Sequence, residues 1–519
     1  MDKIIVLDFG GQYCHLITRR FRDLGIFSEI LPFNTSLKEI KEINPKAIVL
    51  SGGPNSIYEE NAPRLSSDLL EYILYNKIPL LGICYGLHTI IYQLGGEVEL
   101  KDKREYGKAN LVITEPSPLF DSLDKKEVVW MSHGDQVISL PKDFKTLAKT
   151  NTCSIAAYAN EEKMVYGVQF HPEVVNTPHG NKILQNFAIK IAKCKIEWKI
   201  ENLIDTIIEE IRNTIGPTNR VILGLSGGVD SSVTAVLLHK TIGDRLHCIF
   251  VNNGLLRKNE EVEVQRSFKN ILNFKNFHYV DAEDLFLNRL RNIDDPEEKR
   301  RIIGHTFIEV FENKTIELEQ RYPEIKFLAQ GTIYPDRVET SATSDTSAKI
   351  KSHHNVTLPD NMKLDIIEPL KDLYKDEVRR IGLKLGVPKE IISRHPFPGP
   401  GLAVRIIGPI DKEKLDILRE ADEILTDEIK KAGLYERLSQ VFCVFLPLKT
   451  TGVMGDYRTY EYICAIRAVE SLDFMTANFA KLNMDLLEKI STRIINEVNG
   501  INRVVYDISN KPPATIEYE

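Results

Sequence analysis

Short apolar runs alternate with amphipathic stretches along the first part of the chain. KIIVLDFG, AIVLSGGP and IPLLGICYG come first, then VVWMSHGD and YGVQFHPE, and each run ends in glycine or polar residues. That pattern predicts strands delivering loops at their carboxyl ends, where open α/β sheets place their sites. A charged stretch, KIEWKIENLIDTIIEEIRNTIG, follows and stops at Gly216-Pro217, predicting a helix that bridges two domains. The strand pattern then restarts with RVILGLSGGVDSSVTAVLLHKTIG and continues through HCIFVNNGLLRKNE and IKFLAQGTIYPDRVET, a second α/β unit. RHPFPGPGLAVRIIG is too rich in Pro and Gly for a helix or a central strand, and marks entry to a third, α+β region ending in INRVVYDISNKPPATIEYE. The expected domains are 1–195, 196–394 and 395–519.

Length agrees with this partition, since 519 residues make roughly three domains of ordinary size. A net charge of −7 argues against a general binder of nucleic acid or of anionic membranes. No run approaches the ~20 apolar residues of a membrane span, and the apolar run of MDKIIVLDFGGQ is too short for a signal segment. Seven cysteines, an odd number with no C-x-x-C pair, form neither a disulfide framework nor a zinc pattern, so a reducing, cytoplasmic setting is expected.

Chemistry concentrates first at Gly82-Ile83-Cys84-Tyr85-Gly86. Cys84 between two glycines has two readings. It is a buried cysteine among tight-packing glycines, or a nucleophile on a sharp strand-to-helix turn that tolerates only small neighbours. A helix N-terminus favours the thiolate. His171 and Glu173 in VQFHPEV supply a base and a carboxylate to orient it, two residues apart in an extended segment and so on one side. Together these motifs resemble the class I glutamine amidotransferases over all of residues 1–195. The resemblance implies that Cys84 attacks the side-chain amide of glutamine, that His171 gives the departing ammonia its proton, and that Tyr85 and Gly53 amides hold the oxyanion. His88 stands where that family typically has Gln, which helps bind substrate glutamine. The resemblance therefore makes His88 a candidate glutamine contact, and weaker glutamine binding is the expectation.

LGLSGGVDSS, between an apolar strand and an amphipathic stretch, presents backbone N–H groups and hydroxyls at a helix N-terminus, an anion site. No Gly-Lys-Ser/Thr follows, so it is not a Walker A loop. It resembles the PP-loop of ATP pyrophosphatases, which grips the β- and γ-phosphates as a leaving unit. That resemblance places Ser226, Gly227, Gly228, Val229, Asp230, Ser231 and Ser232 around ATP, with Asp230 as the Mg²⁺ ligand.

An amidotransferase ahead of a PP-loop, with NGLLRKNE, DPEEKRRIIG, QGTIYPD, KSHHN, GVMGDYRTY and KPPATIEYE beyond, resembles the glutamine-hydrolysing GMP synthetase family along the full length. The family implies GMP synthesis from XMP, ATP and glutamine through an adenyl-XMP intermediate, in a homodimer that binds neither nucleic acid nor membrane. It assigns XMP contacts to Arg257, Gln440, Asp456, Lys511 and Glu517, and lid contacts over ATP to Lys349 and Lys351. Three further positions depart from its pattern: Asn252 where Asp is common, no Gly-Gly after Asn355-Val356, and Ala514 where Gly is common. Two alternatives stay open: the same synthetase with a weak or ammonia-dependent amidotransferase, and a regulator that binds nucleotides without turnover.

Overall fold

The computed structural model describes residues 1–337, 364–471, 474 and 476–519, with the backbone alone at 101–104 and 454. The chain divides into two compact units, Met1–Leu203 and Ile204–Glu519.

The first unit is built on β1 (Lys3–Asp8), β2 (Phe27–Pro32), β3 (Ala47–Leu50), β4 (Leu80–Ile83), β5 (Glu97–Ile113), β6 (Lys126–Ser139), β7 (Lys145–Lys149), β8 (Ala157–Asn160) and β9 (Val165–Val168). They form one sheet in the order β2-β1-β3-β4-β9-β8-β7-β5-β6. The β2-β1-β3-β4-β9 half is parallel, and the remainder pairs antiparallel. Parallel strands are covered on both faces, which is why β3 and β4 are apolar and buried throughout. The carboxyl ends of β1, β3, β4 and β9 therefore deliver their loops to one edge.

The expected helix over 195–216 begins only at Ile200 and runs to Ile215. Trp198 is instead buried against Phe27, ring centroids 4.8 Å apart, with the Arg22 guanidinium 5.1 Å from its ring. Burying an indole outweighs the few tenths of a kcal/mol per residue of helix propensity in that short segment.

In the second unit β10 (Arg220–Gly224), β11 (Leu246–Asn252), β12 (Phe277–Asp281), β13 (Ile325–Ala329) and β14 (Asp365–Ile367) form a parallel sheet in the order β12-β11-β10-β13-β14. The chain leaves β10 toward β11 and β12 and returns to β13 and β14 on the other side. That reversal opens a crevice at the carboxyl ends of β10 and β13. A second sheet is a long hairpin, β15 (Gln440–Met454) and β16 (Tyr457–Glu470), with β17 (Asn478–Phe479) antiparallel and β18 (Ile501–Tyr506) parallel to β16. Val441, Cys443 and Phe445 share a core with Leu415, Leu418, Ile490 and Ile494 of two helices, Lys412–Lys431 and Met484–Glu497. The alternate residues Phe442 and Val444 pack with Ala465, Val469 and Ile516 on the opposite face. The first of these cores also takes in Ile222, Ile249 and Phe311, so it is continuous across residue 394.

Candidate active sites

Cys84 caps the helix Tyr85–Gln93 with φ +52° and ψ −107°, an uncommon conformation for a residue with a side chain. The flanking glycines are sterically required. A Cβ on Gly82 would stand 2.6 Å from the Leu87 amide nitrogen, and one on Gly86 2.5 Å from the Leu50 carbonyl. The strand therefore turns into the helix with its backbone pressed against neighbouring backbone, and the thiol is projected from the turn. Sγ donates to the Ser132 carbonyl at 3.5 Å.

His171 and Glu173 reach this thiol from the loop after β9, which ends at Val168. Their pairing comes from that loop rather than from strand alternation. The loop is pinned: the His171 amide donates to Trp130 O at 3.0 Å, Thr177 Oγ1 donates to His171 O at 2.7 Å, and Arg20 Nε donates to Glu173 O at 2.9 Å. Glu173, fully buried, accepts from His171 Nδ1 at 2.7 Å, leaving Nε2 for the thiol. A Cβ on Gly52 would lie 3.2 Å from His171 Cε1 and 3.7 Å from Cys84 Cβ, so imidazole and thiol border one glycine. Burial opposes charge on His171, but the Glu173 carboxylate and the Cys84 sulfur outweigh it and hold the ring well above the usual histidine range. The three side chains thus form a Cys–His–Glu array with a basic imidazole.

Tyr85 follows the nucleophile in sequence, and Gly53 packs against the Tyr85 ring. A Cβ on Gly53 would meet Phe9 O at 2.6 Å and the Tyr85 ring at 3.3 Å, and Tyr85 is the first residue of the helix. His88 lies one turn further on, 3% exposed, with Nε2 2.8 Å from Gln169 Oε1. Burial drives its pKa down to about 4, so the ring is neutral. Gln169 Nε2 in turn lies 3.9 Å from Cys84 Sγ. Sequence reasoning did not single out Gln169, Ser132, Tyr13 (T-shaped on His171 at 5.2 Å) or Arg20. Gln169 carried a signal, being two residues before His171 in a segment read as extended; Tyr13 and Arg20 carried none, because tertiary packing alone brings them in.

The PP-loop segment follows β10 and opens the helix Val229–Ile242, with Gly228 as its cap and Gly227 at φ +77°. Ser226 Oγ lies 2.9 Å from Ser231 Oγ and accepts from the Gly228 amide at 3.3 Å. Ser231 Oγ also contacts Gly228 O at 3.2 Å, and Ser232 lies buried behind the loop. Gly331, just beyond β13, packs closely on this turn: a Cβ there would be 3.1 Å from the Ser231 amide nitrogen and 3.4 Å from Asp230 Cβ. Asp230 Oδ2 accepts from Lys375 Nζ, while its Oδ1 is buried without a hydrogen-bond partner among the described residues. A buried, unpartnered carboxylate oxygen at a phosphate-binding turn fits a hard divalent cation.

Three of the five expected XMP contacts stand around one buried guanidinium, that of Arg405. Glu517 pairs with it, and Gln440 Nε2 donates to Glu517 Oε1 at 2.9 Å and to Pro396 O at 3.1 Å. Arg257 stacks 4.1 Å from the centroid of Phe397, the ring that Arg405 also approaches, at 5.1 Å. Asp456 is exposed in the turn joining β15 to β16, at the opposite end of the hairpin from Gln440. The Lys511 ammonium donates to Phe474 O at 2.8 Å. Lys349 and Lys351 lie outside the described residues, as does the segment after Val356. Asn252 has a physical rationale: Nδ2 donates to Asp281 Oδ1 at 3.2 Å and Oδ1 accepts from the Gly254 amide at 3.1 Å, so an aspartate would oppose Asp281.

Residues 5–191 match the family Glutamine amidotransferase class-I, residues 199–295 match NAD synthase, and residues 427–518 match GMP synthase C terminal domain. These matches define a class I glutamine amidotransferase carried on one chain with a PP-loop synthetase. The GMP synthase [glutamine-hydrolyzing] of Brachyspira hyodysenteriae is 54% identical, over 100% of this chain and 99% of that protein. Its counterpart from Thermosipho melanesiensis is 52% identical over 100% of both. A solved structure described as a GMP synthase subunit from Thermoplasma acidophilum is 34% identical, with TM-score 0.34, over 37% of this chain and 94% of that one. The chain belongs to the glutamine-hydrolysing GMP synthase family.

Proposed function

We propose that this chain converts XMP, ATP and glutamine to GMP, AMP, pyrophosphate and glutamate, with Cys84, His171 and Glu173 releasing the ammonia. The observation that carries this reading is the Cys84–His171–Glu173 array at the strand-to-helix turn of a full-length family member. His171 Nε2 takes the thiol proton, and Sγ attacks the glutamine side-chain carbonyl. The tetrahedral oxyanion meets the Tyr85 and Gly53 amides. Its collapse breaks the C–N bond, His171 returns the proton to the departing ammonia, and water then hydrolyses the thioester to glutamate.

In the second unit the backbone of Ser226, Gly227, Gly228 and Val229, with Ser231 and Ser232, cradles the β- and γ-phosphates at a helix N-terminus. The XMP O2 attacks the α-phosphorus, pyrophosphate leaves, and ammonia displaces AMP at C2. Asp230 Oδ1 is the group suited to hold Mg²⁺, which neutralises charge on the departing pyrophosphate when bound. The proposed XMP contacts are Arg257, Gln440, Glu517, Asp456 and Lys511, by family resemblance; the gathering of the first three around Arg405 supports grouping them. Lys349 and Lys351 are proposed lid contacts on the same basis.

The proposed partner is a second copy of this chain, supported by exposed Leu448, Val453, Tyr457 and Tyr460 on the β15–β16 hairpin. A reducing, cytoplasmic setting is supported by seven unpaired, buried cysteines. Among the described residues no helix is long and apolar enough to cross a membrane.

The test is to supply XMP, ATP, Mg²⁺ and glutamine labelled with ¹⁵N in its amide. The expected result is label in the 2-amino group of GMP, with AMP and glutamate formed in equal amounts. AMP release with unlabelled product, or glutamate without GMP, would overturn the assignment.

A further inference from the structure

We infer that Glu260 is a positioning residue shared by the two nucleotide sites. Through Arg394 it sets the Gly227 peptide of the PP-loop, and it also holds the turn that carries Arg257. The inference rests on the reading of the PP-loop as the ATP site and of Arg257 as an XMP contact.

Two sequence motifs, NGLLRKNE and RHPFPGPGLAVRIIG, meet where Glu260 faces Arg394, 134 residues further along the chain. Glu260 is 5% exposed and is the first residue of the helix Glu260–Gln265. Its Oε1 accepts from Arg394 Nη1 at 3.2 Å, and its Oε2 accepts from the Arg257 amide at 3.1 Å. Arg257 Nη1 stands 3.6 Å from the same Oε1. One buried carboxylate is therefore shared by two guanidinium groups that are themselves mostly withdrawn from water. Without its charge, two cations would face each other across the gap.

On the ATP side, Arg394 Nη1 also donates to Gly227 O at 3.3 Å. A trans peptide is planar, so its C=O and N–H point in opposite directions. Drawing the Gly227 carbonyl onto Arg394 turns the Gly228 N–H the other way, toward Ser226 Oγ at 3.3 Å. Gly227 adopts φ +77° in this turn, a conformation that suits glycine. The reversed peptide would aim a carbonyl oxygen at the phosphates instead of an N–H group. Arg394 Nη2 is fixed in turn by Glu263 Oε2 at 2.7 Å. Arg394 thus serves the cradle through its backbone.

On the XMP side, Glu260 closes a reciprocal turn on Arg257. Its own amide donates to Arg257 O at 3.2 Å, while its carboxylate accepts from Arg257 N. The Arg257 guanidinium, stacked on Phe397, donates from Nη2 to His395 O at 3.4 Å. His395 follows Arg394 directly, so one carboxylate and one short segment hold both sites.

The experiment is calorimetric titration of the full chain with Mg²⁺–ATP alone and with XMP alone, for the parent, Glu260→Gln, Arg394→Gln and Arg394→Lys. Glu260→Gln should bind both nucleotides about tenfold more weakly, the effect of one charge-assisted hydrogen bond at each site. Arg394→Gln should lose about tenfold for ATP and keep its XMP affinity, since Arg257 retains its carboxylate. Arg394→Lys, which keeps a cation for Gly227 O and Glu260, should recover part of the ATP affinity. A merely structural role would lower stability without separating the two ligands in this way. Parental ATP affinity in Arg394→Gln, or weakening of only one nucleotide in Glu260→Gln, overturns the inference. If Glu260→Gln does not fold, Glu260→Asp, which withdraws the charge by one methylene, should weaken both nucleotides by less, and an unchanged affinity for either overturns it equally. Failure of the underlying reading looks different: a parent without ATP affinity refutes the PP-loop assignment, and Arg257→Gln with parental XMP affinity refutes Arg257 as a contact.

Discussion

Glu517 holds Arg405 by both carboxylate oxygens, Oε2 accepting from Nε at 3.0 Å and Oε1 from Nη2 at 2.9 Å. The guanidinium is 1% exposed and lies 3.9 Å from the centroid of the Phe442 ring. Burial opposes its charge and Glu517 more than restores it. Removing the carboxylate leaves a buried cation unpaired, a change that typically costs about 3–5 kcal/mol. Glu517→Ala should therefore lower the stability of the full chain in chemical denaturation by roughly that amount, and raise KM for XMP. Glu517→Gln, which keeps one accepting oxygen, should lose less. An alanine variant as stable as the parent would remove the structural role assigned to this pair.

Asp230→Asn should halt AMP formation from XMP and ATP with either glutamine or ammonium as nitrogen donor. The amide cannot supply the anionic oxygen that Oδ1 presents, and the charge of pyrophosphate would go unneutralised. AMP release at a rate near that of the parent would move the metal site to another residue.

The stacked rings of His247 and His278 should make the second unit acid-labile. Arg220 Nη1 stands 3.2 Å from His247 Nε2 and His247 Nδ1 is 3.1 Å from His278 Nε2, so the chain of bonds requires both imidazoles neutral. Burial above all, then nearby cations, brings both down to about 4. In the unfolded chain they take protons near pH 6.5. Between those values the unfolded state binds more protons. The contribution is thus complete above pH 6.5 and is lost progressively as pH falls to about 4. His278→Gln should lessen the loss of denaturation free energy between pH 7 and pH 5 by on the order of 1 kcal/mol. A pH profile parallel to that of the parent would show that the ring does not contribute.

Val453→Glu with Tyr457→Glu should shift sedimentation of the full chain from dimer to monomer at micromolar concentration. Both side chains are largely exposed, at 74% and 80%, toward the tip of a hairpin whose opposite end, Val441–Phe445 and Cys464–Val469, lies in packed cores. A parent that sediments as a monomer while fully active would contradict the proposed dimer.

Much of this was legible before any coordinates. The Gly82 and Gly86 pair dictates the elbow because each glycine meets backbone, a constraint written into the sequence itself. The PP-loop was legible for the same reason: its glycines and hydroxyls serve a local turn. What the sequence hid depends on long-range packing. Trp198 stops the bridging helix short through contacts with Phe27 and Arg22, far earlier in the chain. His88 read as a departure from a substrate contact, because nothing local shows that Gln169, 81 residues on, meets its ring. Arg405 sat unremarked in RHPFPGPGLAVRIIG, where its carboxylate partner, Glu517, returns only at the far end of the chain.

The central claim is that one chain carries two separable chemistries, ammonia release at Cys84 and amination of XMP at the PP-loop unit. Cys84→Ala, assayed for GMP formation with glutamine and then with ammonium, tests it most directly. In the proposed reaction the thiol serves only to release ammonia, so glutamine-dependent synthesis should vanish while ammonium-dependent synthesis stays close to that of the parent. Equal loss of both activities in a folded variant would contradict the account.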